Sequence, residues 1–259
     1  MKKTALITGS SGGIGYELAK IHAENGDNLV LVARSKELLD KLKMELEEKW
    51  KVSVYTIGKD LSLPGAAGEV YEEIKQKNIA IDYLINNAGF GDFGFFAESD
   101  WSKQERMINL NVIALSHLIR LFVPEMINKG EGKIMNVAST ASFQPGPTMS
   151  VYFASKAFVL SFSEAIHNEV KEKGVTVTAL CPGSTQTGFH AGVIDNRREL
   201  KERKMSSARE VAEFGYRAMM KGKAVAIPGM KNALMAFSVR FFPRSIIAKA
   251  VRRIQEKKF

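Results

Sequence analysis

The sequence predicts an α/β fold, a single doubly wound parallel sheet of about seven strands with helices on both faces. Short apolar runs alternate with longer segments of helical period, the pattern of a chain that builds a parallel sheet through helical crossovers. Most of the runs are continuous rather than alternating, as strands covered on both faces must be. Glycines at 26, 130, 174 and 222 stand where helical patterns stop, where a left-handed residue ends a helix. The strands are expected at Thr4–Thr8, Asn28–Ala33, Val52–Ile57, Ile81–Ile85, Lys133–Ala138, Val175–Leu180 and Ala224–Ile227. The helices are expected at 14–25, 35–49, 64–77, 99–129, 150–173 and 207–221. Residues 1–229 then form one domain, and 230–259 a basic amphipathic helical extension of it; no repeat, low-complexity tract or linker divides them.

Composition narrows the function classes. A chain of 259 residues with 45% hydrophobic and 25% charged residues suits one extended core. The first apolar run, Ala5–Thr8, is too short for a bilayer span or a secretory signal, and glycines interrupt it at once. A soluble, cytoplasmic protein is the expectation. The single cysteine, Cys181, makes no internal disulfide and reads as a small buried apolar residue. Four histidines and one cysteine show no metal-ligand spacing, and His22, His117 and His167 fall in helical patterns. The net charge of +9 is concentrated at the end: from Lys231 to Phe259, eight basic residues face one acid, leaving +2 for the rest. A body without a basic docking face excludes nucleic acid as partner.

The first strand runs into Thr8-Gly9-Ser10-Ser11-Gly12-Gly13-Ile14-Gly15, and a helical pattern follows directly. Glycine lets the backbone turn tightly and approach a pyrophosphate, while the helix N-terminus offers free N–H groups and the positive end of its dipole. Gly9, Ser11, Gly13, Ile14 and Gly15 are therefore nucleotide-binding candidates. The same stretch also fits the nucleophile-elbow pattern Gly-x-Ser-x-Gly, which would make Ser11 the nucleophile of a serine hydrolase. Its position so close to the start of the chain, with His190 as the only late histidine, disfavours that alternative.

Where NAD-type sites carry an acid, about 20 residues past the glycines, the second strand ends in Ala33 and Arg34 follows. A missing carboxylate removes repulsion of a 2′-phosphate, and a guanidinium supplies a bidentate partner. NADP(H) is expected over NAD(H). Asp60, with Leu61 beside it after the third strand, would accept from the adenine amino group or cap the helix that follows.

Tyr152 and Lys156 are four residues apart in a helical pattern, hence on one face and one turn apart. A free tyrosine titrates near ~10, and a neighbouring ammonium is expected to lower that value. Such a tyrosine can pass a proton to a carbonyl oxygen, or take one from an alcohol, while a hydride moves.

Over nearly its whole length, from Thr4 to about Ile227, the chain resembles the short-chain dehydrogenase/reductase (SDR) family, with its Rossmann-like fold. The resemblance rests on the glycine turn, Asn86-Asn87-Ala88-Gly89 after strand four, Ser139 after strand five, Tyr152-x-x-x-Lys156, and Pro182-Gly183 after strand six. It implies an oxidoreductase acting between a carbonyl and a secondary alcohol. Ser139, thirteen residues before Tyr152, would hold the substrate oxygen, and Lys156 would also bind the nicotinamide ribose. Asn111, preferred to Asn109 for its distance to Pro124, would complete a proton relay to the lysine. Asn86, Asn87, Ala88 and Gly89 would form the turn beside the adenosine ribose, and Pro182, Gly183 and Thr187 would flank the nicotinamide. With no family residue missing, a non-catalytic regulatory relative is disfavoured. A homodimer or homotetramer through helices 99–129 and 150–173 is also implied.

The loops after strands four, five and six would hold the substrate. They carry Phe90, Phe93, Phe95 and Phe96, then Phe143 and Met149, then Phe189 and His190. Aromatics beside the chemistry suggest an apolar or lipid-like carbonyl compound, although packing under the loop would also explain Phe93, Phe95 and Phe96. In the tail, Ile246, Ile247, Ala250, Val251 and Ile254 form an apolar stripe with basic residues largely off it. Such a helix packs on its own body or a partner subunit, or else contacts a membrane surface or an acyl carrier.

Overall fold

The computed structural model describes residues 2–188 and 205–256. Its centre is a parallel sheet of β1 (Thr4–Thr8), β2 (Asn28–Ala33), β3 (Val54–Gly58), β4 (Tyr83–Asn86), β5 (Gly132–Val137), β6 (Val175–Leu180) and β7 (Val225–Ala226), in spatial order β3-β2-β1-β4-β5-β6-β7. Strand β1 pairs with β2 from Thr4↔Asn28 to Thr8↔Val32 and with β4 from Ala5↔Tyr83 to Ile7↔Ile85. The order reverses between β1 and β4, and that switch point opens a crevice at the carboxyl ends of the strands.

Successive residues of each strand feed opposite cores. Leu6, Val30, Leu84, Ile134 and Val177 join one cluster, while Ile7, Leu31, Ile85, Met135 and Leu180 join the other. The first cluster is covered by α3 (Ala66–Gln76), α4 (Trp101–Lys129) and α5 (Ser150–Val170), through residues such as Val70, Leu118, Phe122 and Val159. The second is covered by α1 (Gly13–Glu24), α2 (Lys36–Trp50) and α6 (Ala208–Met220), through Leu18, Leu39, Leu42, Val211 and Met219. Two covered faces explain why the strands read as unbroken apolar runs.

Boundaries shift by a few residues where apolar side chains pack without pairing. Val52 and Ile81 are buried yet precede β3 and β4. Helix α3 begins at Ala66, after Gly65 in the left-handed region, and α5 ends at Val170 in a 3₁₀ turn over Lys171–Lys173. Gly130 closes α4 at φ +69°, and at Gly174 (φ +80°) a Cβ would overlap the Gly130 carbonyl, so both positions need glycine. Helix α4 is long and apolar enough to cross a membrane by length and composition alone. Met107, Leu115, Leu118, Ile119 and Phe122 on it are buried in the fold.

Two features escaped the sequence pattern. Residues Asn109–Ala114 of α4 form a π-helical turn. A two-stranded parallel ribbon pairs Thr185–Gln186 with Ser206–Ser207; Phe189 and His190, expected near the substrate, lie outside the described residues. The C-terminal segment forms α7 (Met230–Ser238), a 3₁₀ turn over Val239–Phe241 and α8 (Arg244–Glu256). The apolar stripe expected on α8 is split: Ile247 and Val251 are buried beside Gln255, whereas Ile246, Ala250 and Ile254 are exposed. Cys181 is buried as expected, and burial pushes its thiol up to about 12. His22 is also buried, its Nδ1 2.7 Å from Asp27 Oδ2, and His167 Nδ1 lies 2.9 Å from the Val177 carbonyl.

Candidate active site

The glycine turn is shaped by what touches it. Gly9 (φ +67°) has Ala88 Cα 2.8 Å and Asn87 Nδ2 2.9 Å from where a Cβ would stand. At Gly15 a Cβ would overlap both the Gly9 carbonyl and Asn87 Nδ2. Asn87 Nδ2 donates to the carbonyls of Thr8 (2.9 Å) and Gly9 (3.1 Å), and Thr8 Oγ1 accepts from the N–H groups of Asn87 and Ala88 at 3.0 Å each. Thr8, the first residue of the turn motif but not among its nucleotide-binding candidates, therefore joins the turn after β1 to the turn after β4. Gly13 (φ +58°) faces Thr187, whose Cγ2 would lie 3.0 Å from a Cβ, so Thr187 sits on the glycine turn. Ile14 packs against the second core cluster.

These residues fit a dinucleotide. The N-cap of α1, Gly12, provides no side-chain cap, the first turn holds no acid, and a Cβ at Gly12 would meet nothing within 4 Å. The backbone N–H groups and the positive helix end are thus left for a diphosphate. Ser11 is half-buried in the turn, and no histidine partners it among the described residues, so nothing supports the hydrolase alternative.

Two expectations for the adenosine side need correction. Asn86 does not line the turn: it is buried at the end of β4, and its Nδ2 donates to Asn136 Oδ1 at 2.9 Å. Strand alternation turns it inward and hands the crevice to Asn87, Ala88 and Gly89. Asp60 does not cap α3, whose N-cap is Gly65. Its carboxylate accepts from the N–H (3.0 Å) and Oγ (2.7 Å) of Ser62 and from Arg106 (2.8 Å). Burial opposes these bonds to Ser62 and the charges of Arg106 and Arg34, yet the carboxyl is held below its usual range. Arg106, unforeseen, thus shares Asp60 with the nucleotide crevice. Leu61 is buried in the core, leaving its backbone as the part that can meet an adenine. Arg34 is exposed and precedes Ser35, the N-cap of α2, so it lies outside the helix.

Tyr152 and Lys156 project from α5 toward the ends of β4 and β5. Lys156 is 5% exposed; its Nζ lies 5.9 Å from the Tyr152 ring centroid and donates to the Val137 carbonyl at 2.7 Å. Burial lowers its pKa to about 8. Ser139, just past β5, accepts from the Ala141 N–H at 3.1 Å and hydrogen-bonds Tyr152. The expected depression of the Tyr152 pKa is not found. Burial raises it, and the Ser139 bond opposes that only in part. The reason is positional: the Lys156 ammonium is spent on a backbone carbonyl and is itself made less favourable by burial.

Asn111 lies in the π-helical turn, where a widened coil re-aims a side chain. Its Nδ2 donates to the Phe90 carbonyl (3.0 Å) and to Ser155 Oγ (3.1 Å), and its Oδ1 accepts from the Phe90 N–H (3.2 Å). A Cβ at Gly89 would stand 3.0 Å from Asn111 Oδ1 and 3.3 Å from Lys156 Nζ. The structure thus gathers Asn111, Ser139, Tyr152, Lys156 and the Asn87–Gly89 turn at the carboxyl ends of β4 and β5. A proton donor, a second hydroxyl and a cation stand together beside a nucleotide crevice.

The short chain dehydrogenase family model matches residues 3–198. The chain belongs to the short-chain dehydrogenase family. Members of this family are oxidoreductases that act between carbonyl and CH–OH groups and take a small-molecule substrate and a nicotinamide cofactor. It is 33% identical to the human (Homo sapiens) very-long-chain 3-oxoacyl-CoA reductase over 184 residues, 69% of this chain and 58% of that protein. The chain thus spans little more than half the length of that relative. A short-chain dehydrogenase from Sphingobium yanoikuyae, solved in complex with NADPH, superposes with a TM-score of 0.83 at 32% identity, covering 92% of each chain. The bulky-bulky ketone specific alcohol dehydrogenase from Comamonas testosteroni gives a TM-score of 0.80 at 31% identity, again over 92% of each chain.

In this member of the family Tyr152 also packs against an apolar cluster. Ala141, Met149, Phe153, Ile247 and Val251 form it, and Phe93 and Val239 join Tyr152 at its edge. The loop aromatics divide: Phe93 lines this wall, Phe95 and Phe96 are exposed, and Phe143 packs into the core. Pro182 accepts from the Thr140 N–H at 2.9 Å, which fixes the β5 and β6 loops together. Gly183 leaves room for Asn232 of α7, whose Nδ2 would lie 2.8 Å from a Cβ there. The C-terminal segment, read from sequence only as an extension, therefore supplies part of the wall.

Proposed function

We propose that this protein reduces bulky, apolar ketones or aldehydes with NADPH. The observation that carries this reading is the apolar wall around Tyr152, built by Phe93, Met149, Phe153, Ile247 and Val251. Met149, Phe153, Ile247 and Val251 are buried beside Tyr152, so the surroundings of its hydroxyl are apolar: they favour a ring or long chain beside the carbonyl, whereas a polar substituent would lose its water there without a partner. The names of the human reductase and of the Comamonas enzyme point to the same class of ketone.

The bound nicotinamide supplies the hydride. Tyr152 gives its proton to the carbonyl oxygen, and its raised pKa keeps it protonated through the neutral range. Ser139, hydrogen-bonded to Tyr152, offers a second donor to the oxygen as charge develops. Lys156, within reach of both the Val137 carbonyl and the Gly89 turn, holds a positive charge near the tyrosine and would bind the ribose hydroxyls of a bound nicotinamide nucleotide. Asn111 locks the Phe90 backbone from both sides and links it to Ser155, so it positions the relay behind the lysine.

Oxidation of NADPH should be followed with a panel that sets ring ketones and long-chain 3-oxoacyl thioesters against small polar carbonyls. The expected kcat/KM ratio is about 100-fold in favour of the apolar compounds, matching roughly 3 kcal/mol of additional burial. Equal turnover of small polar carbonyls would remove the apolar-substrate reading.

The preference for NADPH rests on Arg34, which is exposed at the end of β2 where no acid stands. Arg34→Ala is expected to raise the KM for NADPH by roughly 10- to 100-fold, the worth of a charge-assisted bond, and to leave that for NADH nearly unchanged. An equal effect on both nucleotides would contradict this. Self-association through α4 and α5 is supported by the exposed Ile113 and Phe158 on those helices.

A further inference from the structure

The C-terminal segment buries one side and shows the other to solvent. In α7, Asn232 lies against Gly183 and Ala236 is buried. On the opposite positions Met230, Leu234 and Phe237 recur at helical spacing, and Phe241 continues the row; they are 88, 68, 54 and 70% exposed. The rings of Phe237 and Phe241 meet edge-on at 5.2 Å, and the Arg240 guanidinium lies 5.9 Å from the centre of the Phe237 ring. Between Met230 and Gln255 the sequence holds no Asp or Glu, while Arg240 and Arg244 are exposed at the end of the row. A contiguous row of large apolar side chains marks an interaction surface rather than ordinary solvated surface.

We propose that this row docks the protein on an anionic membrane surface, with the apolar side chains entering the headgroup boundary and Arg240 and Arg244 pairing with lipid phosphates. Aromatic and aliphatic side chains on one side of a helix, with cations at its flank, suit a helix lying in the interface plane. A second copy suits it poorly. A two-fold contact would pair the row with its own copy, and with no Asp or Glu from Met230 to Gln255 the row itself offers Arg240 and Arg244 no anionic partner. An acidic carrier protein would use the cations and leave the four apolar side chains without a role. The inner side of the same segment reaches Tyr152's cluster through Val239, Ile247 and Val251. If the substrate is apolar, as proposed above, the docked face is the outside of the substrate wall; the docking itself does not depend on that reading.

The test is vesicle flotation of the full-length protein without nucleotide or substrate, using phosphatidylcholine vesicles with and without phosphatidylglycerol. Binding is expected to the anionic vesicles at low salt and to fall at high salt. The double variant Arg240→Gln/Arg244→Gln is expected to weaken it on the order of 30-fold, at about 1 kcal/mol per cation near an anionic surface. Phe237→Ser/Phe241→Ser should weaken it at least as much while leaving the thermal midpoint and NADPH affinity unchanged, because both rings are exposed. Absence of binding to anionic vesicles would overturn the proposal. So would binding that ignores the phenylalanine substitutions, the sign of a charge-only partner, or light scattering that shows those substitutions splitting a dimer. Failure of the carbonyl panel alone would leave the docking intact.

Discussion

Replacing Tyr152 by phenylalanine is expected to lower kcat by about a thousandfold, in the range that positioned general acids contribute. The change removes one oxygen and keeps the ring that packs with Phe93, Met149 and Phe153. The affinity for NADPH and the thermal midpoint should therefore be nearly unchanged, and kcat should fall together with kcat/KM. Ser139 would lose its partner on Tyr152, yet it retains the Ala141 N–H, so it stays in place. A rise in KM with kcat preserved would show that Tyr152 only shapes the pocket.

Lys156 has the second large expected effect. Its pKa of about 8 in the folded protein lies below the ordinary lysine value of 10.5, with burial the leading cause. Below pH ~8 it is charged, and as pH rises through that value the charge is lost. Tyr152, shifted the other way, remains protonated beyond its usual range. The rate of ketone reduction should thus be level below about 8 and fall above it, with the loss assigned to the lysine rather than to the tyrosine. Lys156→Arg, which keeps its charge at all accessible pH, should move that limb upward. Lys156→Met should lower kcat by on the order of 100-fold at neutral pH, as removal of one preorganised electrostatic group does. Its thermal midpoint should change little, since the cost of burying the ammonium disappears along with its bond to Val137. A reduction rate that stays level through pH 8 to 10 in the wild type would place the titrating group elsewhere.

Much of this was legible in the sequence because the relevant signals are local. Thr8 to Gly15 and the Tyr152–Lys156 spacing each lie within one turn of chain, and strands covered on both faces write themselves as continuous apolar runs. What escaped depends on partners distant in the chain or on backbone atoms. Thr8 acts on Asn87 and Ala88, Arg106 on Asp60, and Asn232 on Gly183. The Val137 carbonyl that engages Lys156 has no side-chain signature at all. The helical spacing of Tyr152 and Lys156 correctly placed them on one face, but it carried no information on burial, which reversed the expected shift of the tyrosine. Similarly, the apolar stripe of α8 gave no sign of which half the body would cover.

The central claim is that a hydride from NADPH and a proton from Tyr152 reach the two ends of one carbonyl. Its most direct test uses NADPH deuterated at the transferable position of the nicotinamide ring and a bulky aromatic ketone, with the product examined by mass spectrometry and NMR. The account predicts an alcohol carrying one deuterium on the carbinol carbon, formed by the wild type and nearly absent with Tyr152→Phe. Alcohol without deuterium at that carbon, or equal deuterated product from the phenylalanine variant, would contradict it.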